Sequence, residues 1–108
     1  MTAAVDGLVF LHSIKVGDMI LLQARVTATW KTSLEVEVEV FSEETLTGVR
    51  RMTSRAYLTF VAVDRDGGRV VIPPLTLTSD AERQKAAEAE ERRQARLKAK
   101  HRLDQQNP

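Results

Sequence analysis

Apolar and acidic side chains alternate without interruption at residues 34–40, which read Leu-Glu-Val-Glu-Val-Glu-Val. A period of two is typical of a β-strand, whereas a helix would distribute the glutamates around its circumference. The pattern predicts a strand with one apolar face and one face that carries Glu35, Glu37 and Glu39. We expect the glutamate face to be solvated, as one face of an antiparallel sheet can be. A metal site built from these carboxylates is the alternative interpretation.

Three further segments are predicted to be strands, at residues 4–11, 19–30 and 52–64. In the second of these, every other residue from Ile20 to Trp30 is apolar, which places both on the apolar face of the sheet. The short connection at residues 31–33 predicts an antiparallel hairpin with the glutamate strand. The last segment is apolar on both sides in its second half, as is typical of a central strand.

A charged helix and tail are predicted for residues 77–108. Ser79 and Glu82 have the spacing of a capping box, and the helix is expected to run from Asp80 to about Leu103. Its acids precede its bases, an order that suits the helix dipole, and we expect the basic end at residues 92–102 to face solvent. The helix has too few large apolar residues to cover the apolar face of the sheet, which therefore lacks a partner layer.

Composition excludes several classes of protein. The chain has 108 residues, a formal net charge of +1 and no cysteine. The absence of cysteine excludes disulfides and cysteine-based zinc sites, and the balanced charge does not match a dedicated nucleic-acid binder. The apolar runs are too short to span a bilayer, and no signal-peptide pattern opens the chain. We therefore expect a cytoplasmic protein with no metal, no nucleic-acid partner and no membrane association.

Four segments of the chain resemble, in order, the motifs of the hotdog-fold acyl-CoA thioester hydrolases, the cytosolic acyl-CoA thioesterase family. Residues 10–18 read Phe-Leu-His-Ser-Ile-Lys-Val-Gly-Asp, and residues 31–36 read Lys-Thr-Ser-Leu-Glu-Val. Residues 45–64 resemble the family's Leu-Thr-Gly-x-Arg loop and the Thr-Phe-Val-Ala strand that follows, and residues 71–75 read Val-Ile-Pro-Pro-Leu. Ser13 departs from the pattern, because the family usually has proline there. The resemblance covers nearly the whole chain.

The resemblance implies an α+β protein with a partial hotdog fold, in which residues 1–76 form the thioesterase domain. The chain enters the family pattern after its first strand and central helix, and the family's catalytic Asp or Asn lies in that segment. No catalytic residue is therefore assigned, and we expect the 108-residue form to be inactive alone. We expect a start-site error or a broken gene to explain the short N-terminus, and the alternative is a genuine partial domain that docks on another chain.

The resemblance also implies a groove for CoA, to which cations and hydroxyls contribute because these groups bind phosphate. Two groups of residues are candidates: Lys31 and Ser33 at the hairpin tip, and Arg51, Thr53, Ser54 and Arg55 at the entry to the fourth strand. For the lysine the alternative is a solvated turn residue. For the arginines the alternative is ion pairing with Glu35, Glu37 or Glu39 across the sheet.

Two other features have structural interpretations. Histidine is a common catalytic residue, but His12 has no nucleophile constellation around it, so a structural role is expected. Asp64 and Asp66 stand beside Gly67 and are expected to form a turn rather than a catalytic pair.

The expected reaction is hydrolysis of an acyl-CoA thioester to a free fatty acid and CoA, with no cofactor because CoA is part of the substrate. The resemblance implies a homo-oligomer, a double-hotdog dimer that pairs through residues 4–11, with a trimer of dimers as the larger assembly. The alternative function is a non-catalytic hotdog remnant that binds CoA or a protein partner.

Overall fold

A computed structural model describes residues 2–106, and in its first strand the side chains of residues 4, 5, 9 and 10. Five elements follow one another along the chain: β1 (Thr2–Phe10), β2 (Met19–Thr29), β3 (Ser33–Glu43), β4 (Arg50–Val61) and α1 (Asp80–Gln106). The strands form one antiparallel sheet in the order β1-β4-β3-β2. The predicted four strands and C-terminal helix are confirmed, and so is the central position of β4.

The apolar and polar residues that alternate along β3 lie beside residues of the same kind in β2 and β4. Val36 pairs with Leu58 of β4 and with Val26 of β2, so apolar residues continue across three strands. Glu37, one residue later on β3, pairs with Tyr57 of β4 and Arg25 of β2. One face is therefore apolar and the other carries the glutamates, as the period of two requires.

A β-bulge in β2 interrupts this regular assignment. Val26 pairs with Val36, but Ala28 pairs with Glu35, so one extra residue of β2 is inserted between the two pairs. Such an insertion reverses the facing of every residue that follows it. The indole of Trp30 consequently lies on the glutamate side, where its Nε1 donates to Oε2 of Glu90 at 2.7 Å. The prediction that Trp30 shares the apolar face with Ile20 is wrong for this reason.

α1 lies on the glutamate face of the sheet. Ala89 has no exposed surface, and Glu35 and Glu37 are 0% and 2% exposed. The expectation that the glutamate face is solvated is therefore wrong, because α1 covers it and supplies cations. The expectation of a solvent-facing basic end is wrong at Arg92, which contacts Glu35, whereas Lys98 is exposed.

The apolar face is not covered by any element within residues 2–106. Phe10 is 77% exposed and Leu22 68% exposed. The radius of gyration is 17.0 Å, whereas a compact domain of this length has about 13 Å. The expectation that α1 leaves the apolar face uncovered is confirmed, and the buried interior of this chain is polar.

The helix cap at Ser79 and the turn at Asp64 have the hydrogen bonds that the sequence predicts. The Glu82 amide donates to Oγ of Ser79 at 3.1 Å, and the Glu82 carboxylate accepts from the Thr78 amide at 3.1 Å. Oδ1 of Asp64 accepts from the amides of Asp66 and Gly68 at 2.9 and 2.8 Å. Gly67 within this turn has a φ of 84°, which favours glycine. The helix start and the turn-forming role of Asp64 are confirmed.

The close approach of α1 to the sheet at Ala89 gives a stability prediction. Ala89→Leu should lower the free energy of unfolding by about 1–3 kcal/mol, because the larger side chain has no room. Urea unfolding followed by circular dichroism measures this change. Ala95→Leu, at an exposed position of the same helix, is the control and should stay within about 0.5 kcal/mol of wild type. Equal stability of the two variants would contradict the packing.

Candidate functional site

The glutamate row, defined as Glu35, Glu37 and Glu39, consists of three buried acidic side chains. Glu35 has no exposed surface. Its carboxylate accepts from Nη2 and Nε of Arg92 at 2.8 and 3.0 Å, and from the Thr27 hydroxyl at 2.6 Å. An arginine that donates two hydrogen bonds to one carboxylate fixes the orientation of both side chains and also neutralises the charge. Arg92 also lies 3.6 Å from the centroid of the Tyr57 ring.

Glu37 lies between α1 and two strands of the sheet. Nζ of Lys85 donates to both carboxylate oxygens at 3.1 Å, and Nε of Arg25 lies 3.6 Å from Oε1. Burial alone would raise the pKa of Glu37, but hydrogen bonds from Lys85 and Tyr57, with the charges of Lys85 and Arg55, outweigh it. The pKa of Glu37 is therefore below its ordinary value. Burial and then the charge of Glu37 raise the pKa of Tyr57.

Glu39 is held by arginines of the sheet. Nη2 of Arg55 lies 3.1 Å from Oε2, and Nη2 of Arg25 lies 3.6 Å from Oε1. The hydrogen bond with Glu39 is the largest of the effects that raise the pKa of Arg55. The sequence left ion pairing with the glutamates as the alternative role for the arginines. Arg55 has this role, because it pairs with Glu39.

The two groups of predicted CoA-binding residues lie at opposite ends of the sheet. Lys31 is exposed in the β2–β3 turn and Ser33 pairs with Val61. Arg51 pairs with Ser42 at the far end of β3. Ser42 stands nine positions after Ser33, which is roughly 30 Å of extended strand. The structure does not bring Lys31 and Arg51 together within one chain.

Residues 53–55 of β4 do not form one surface either. Thr53 is 1% exposed, and its hydroxyl donates to the Val40 carbonyl at 3.0 Å. Ser54 pairs with Val40 and Phe10, so it lies on the apolar face. Arg55 lies on the opposite face with Glu39. The hydroxyl of Thr53 is used within the sheet.

Arg51 contributes to a polar cavity of about 220 Å³ at the end of the sheet. His12 and Lys15, from the segment after β1, lie along the same cavity, and the buried Ser42 adds a hydroxyl. Asp18 and Glu44 bring two carboxylates to it. A cavity of this size with three basic side chains suits a phosphate group. Sequence reasoning placed Arg51 here but did not associate it with His12 and Lys15.

Within residues 2–106 no group of three or more histidine, cysteine or acidic side chains is arranged to hold a metal ion. No helix in this part of the chain is long and apolar enough to cross a membrane.

The chain was compared with known proteins. A family model described as the thioesterase superfamily matches residues 1–49. An acyl-CoA hydrolase from Bacillus cereus superposes with a TM-score of 0.88 over 97% of this chain and 64% of that structure, at 28% sequence identity. A hexameric acyl-CoA thioesterase superposes with a TM-score of 0.85 over 92% of this chain and 64% of that structure, at 37% identity. The chain is thus similar to members of the thioesterase superfamily. Its four strands and terminal helix are part of a hotdog fold.

Two curated proteins with thioesterase or thioester hydrolase names are also similar to this chain. The acyl-CoA thioester hydrolase YkhA of Bacillus subtilis is 35% identical over 82 residues, which are 76% of this chain and 48% of the relative. The acetyl-coenzyme A thioesterase of Mus musculus is 31% identical over 97 residues, which are 90% of this chain and 17% of the relative. The chain therefore spans less than half of either relative's length.

Lys85 and Arg92 are the residues of the buried site that sequence reasoning missed. With Ala89 they are spaced four and three residues apart, which puts all three on one face of a helix. Seven helical residues rise about 10.5 Å, and the two residues from Glu35 to Glu37 span about 7 Å of strand. The sequence feature that could have indicated this site is a pair of cations, Lys85 and Arg92, on either side of the small Ala89. The two cations are near enough to each other along the helix to reach two alternate glutamates of one strand.

The lowered pKa of Glu37 gives a pH prediction. A carboxyl with a depressed pKa stabilises the folded state above its unfolded value, near 4.5, and this contribution is lost as the pH falls further. Lys85→Met should therefore cost about 1–3 kcal/mol at pH 7 and much less at pH 3.5. Urea unfolding at both pH values measures it.

Lys98→Met is the matched control, because Lys98 is exposed on the same helix. It should leave the free energy of unfolding nearly unchanged at both pH values. A Lys85→Met cost that is the same at pH 3.5 as at pH 7 would contradict the role assigned to the Lys85–Glu37 pair.

Proposed function

We propose that this chain is the strand portion of an acyl-CoA thioester hydrolase, which releases a free fatty acid and CoA. The observation that carries the proposal is the superposition of 97% of the chain on an acyl-CoA hydrolase. The products place the reaction in fatty acid metabolism. The absence of cysteine suits a reducing compartment, which supports a cytoplasmic location.

The catalytic group is proposed to lie on a segment outside these 108 residues. The uncovered apolar face, with Phe10 and Leu22 exposed, requires a covering layer to exclude water. A helix on that face brings its N-terminal amides and a carboxylate or amide side chain to the thioester. The amides polarise the carbonyl, and the side chain orients and deprotonates the attacking water. Water then adds to the carbonyl carbon and the CoA thiolate leaves.

Arg51 is the proposed contact for a CoA phosphate. It is exposed and shares the polar cavity with Lys15 and His12. Arg55 is a weaker candidate, because its guanidinium is held by Glu39 at 3.1 Å. Lys31 and Ser33, at the other end of the sheet, reach the same CoA molecule only from another copy of the chain.

The proposed assembly is a double-hotdog dimer, with three dimers in a hexamer. β1 forms one edge of the sheet, and an edge strand has free backbone groups for pairing with a second copy. One of the superposed structures is a hexameric acyl-CoA thioesterase. In such a dimer, Lys31 of one copy could contact a CoA molecule that is bound by the other copy.

A second candidate function is a non-catalytic module that binds CoA or a protein partner. The extent of exposed apolar surface favours it, because large apolar patches on a protein surface mark sites of association. It differs from the first proposal in predicting binding without turnover.

The two functions are separated by hydrolysis of acyl-CoA, followed by release of the CoA thiol. The 108-residue chain should be inactive alone. A fusion to the N-terminal strand-and-helix segment of the Bacillus subtilis relative should be active, because it supplies the covering helix. In the active fusion, Arg51→Gln should raise KM about tenfold with kcat unchanged.

Arg65→Gln, at an exposed turn position away from the cavity, is the matched control and should leave KM unchanged. Turnover by the chain alone at the rate of the fusion would contradict the placement of the catalytic group. A folded fusion that binds CoA but never hydrolyses it would support the non-catalytic module.

A further inference from the structure

The attachment of α1 to the sheet differs from ordinary helix packing. Its one buried apolar residue is Ala89, and a single alanine contributes little hydrophobic stabilisation. The other close contacts are polar: Arg92 with Glu35, Lys85 with Glu37, and Trp30 with Glu90. Charge and hydrogen bonds, rather than apolar burial, hold this helix in place.

The glutamate row is neutralised from two directions. The sheet supplies Arg25 and Arg55, which lie against Glu37 and Glu39. α1 supplies Lys85 and Arg92, which lie against Glu37 and Glu35. Glu39 therefore keeps its cations whether or not the helix is docked. The cation within 4 Å of Glu35 comes from α1, and its other side-chain partner is the Thr27 hydroxyl at 2.6 Å.

The docked arrangement of α1 is more stable than the undocked one, but by a small margin on physical grounds. Docking gains strong ion pairs, but it removes the water around Glu35, Glu37, Lys85 and Arg92, and in buried pairs the two effects nearly cancel. The strands, by contrast, are hydrogen-bonded to their neighbours in one sheet, with a few irregularities in the pairing. Elements with few apolar contacts open at lower free energy than the rest of a structure.

We propose that α1 is a detachable strap, held on the sheet by buried ion pairs, and that the Glu35–Arg92 pair decides whether it is docked. Removing the charge of one member of this pair leaves the other buried without an opposite charge, which favours release of the helix. The sheet stays folded when the strap leaves. This proposal concerns the helix and the glutamate face, and it does not depend on the proposed hydrolase activity.

Release of the strap has a structural consequence beside the helix. A cavity of about 780 Å³ lies between β2 and the start of α1. It lies at the edge of the sheet, so both faces of β2 line it, with Val26 from the apolar face and Arg25 from the glutamate face. Leu75 and Leu77 line it from the connecting segment, and Lys85 lines it from the helix. The Leu75 amide is fixed to the Thr29 hydroxyl at 2.8 Å, so this connection keeps one wall in place. Docking of the helix then determines whether the opposite wall is present.

The test is hydrogen exchange of the whole chain, resolved by peptide. In Glu35→Gln and in Arg92→Gln, amides of residues 85–93 should exchange at least tenfold faster than in wild type. Amides of β3 and β4 should keep their protection. The fluorescence of Trp30, the only tryptophan in the chain, should shift toward that of a solvated indole, because its contact with Glu90 is lost.

Two matched controls make the outcome specific. Glu39→Gln removes a charge from the same row, but its cations belong to the sheet, so exchange in α1 should stay within about twofold of wild type. Arg83→Gln removes an arginine whose ion pair is with Asp80 of the same helix, and it should behave like Glu39→Gln.

Three results would overturn the proposal. The first is unchanged exchange in α1 of both Glu35→Gln and Arg92→Gln. The second is loss of protection in α1 and the strands together, which would make the helix an integral part of one folding unit. The third is equal release by Glu39→Gln, which would remove the specific role of Glu35.

Discussion

The ion pair between Glu35 and Arg92 is the contact on which the two-layer arrangement depends. Glu35 is fully buried, and an ionised carboxylate in such a place requires a cation and hydrogen bonds. Arg92 supplies both, with the Thr27 hydroxyl as a third donor. The position of α1, the burial of the glutamate row and the environment of Trp30 follow from this contact.

The sheet covers its polar face and exposes its apolar face, whereas a typical domain does the opposite. The face that α1 covers carries Glu35, Glu37 and Glu39, and the apolar face is open, with Phe10 and Leu22 exposed. The proposal that this chain is part of a thioester hydrolase explains the open apolar face if a helix from outside these residues packs on it. The polar interface with α1 is then an outer layer, added to a sheet whose principal core lies on the other side.

The strands and the helix were predictable because each depends on local chemistry. The alternation at residues 34–40 and the Ser79–Glu82 cap determine structure within a few residues. The covered face was not predictable in the same way, because alternation identifies which residues share a face and not what packs on it. The bulge between Val26 and Ala28 has no glycine or proline to mark it, so the position of Trp30 was missed. Arg51 and His12 meet only through pairing of distant segments.

A double-mutant cycle on Glu35→Gln and Arg92→Gln tests the central claim most directly, with the free energy of opening of α1 amides as the measured quantity. If the buried pair holds the helix, each single change is costly. The double change then costs at least about 1 kcal/mol less than the sum of the two, because neither charge is left unpaired. Additive effects of the two substitutions would show that Glu35 and Arg92 act independently, and would contradict this account.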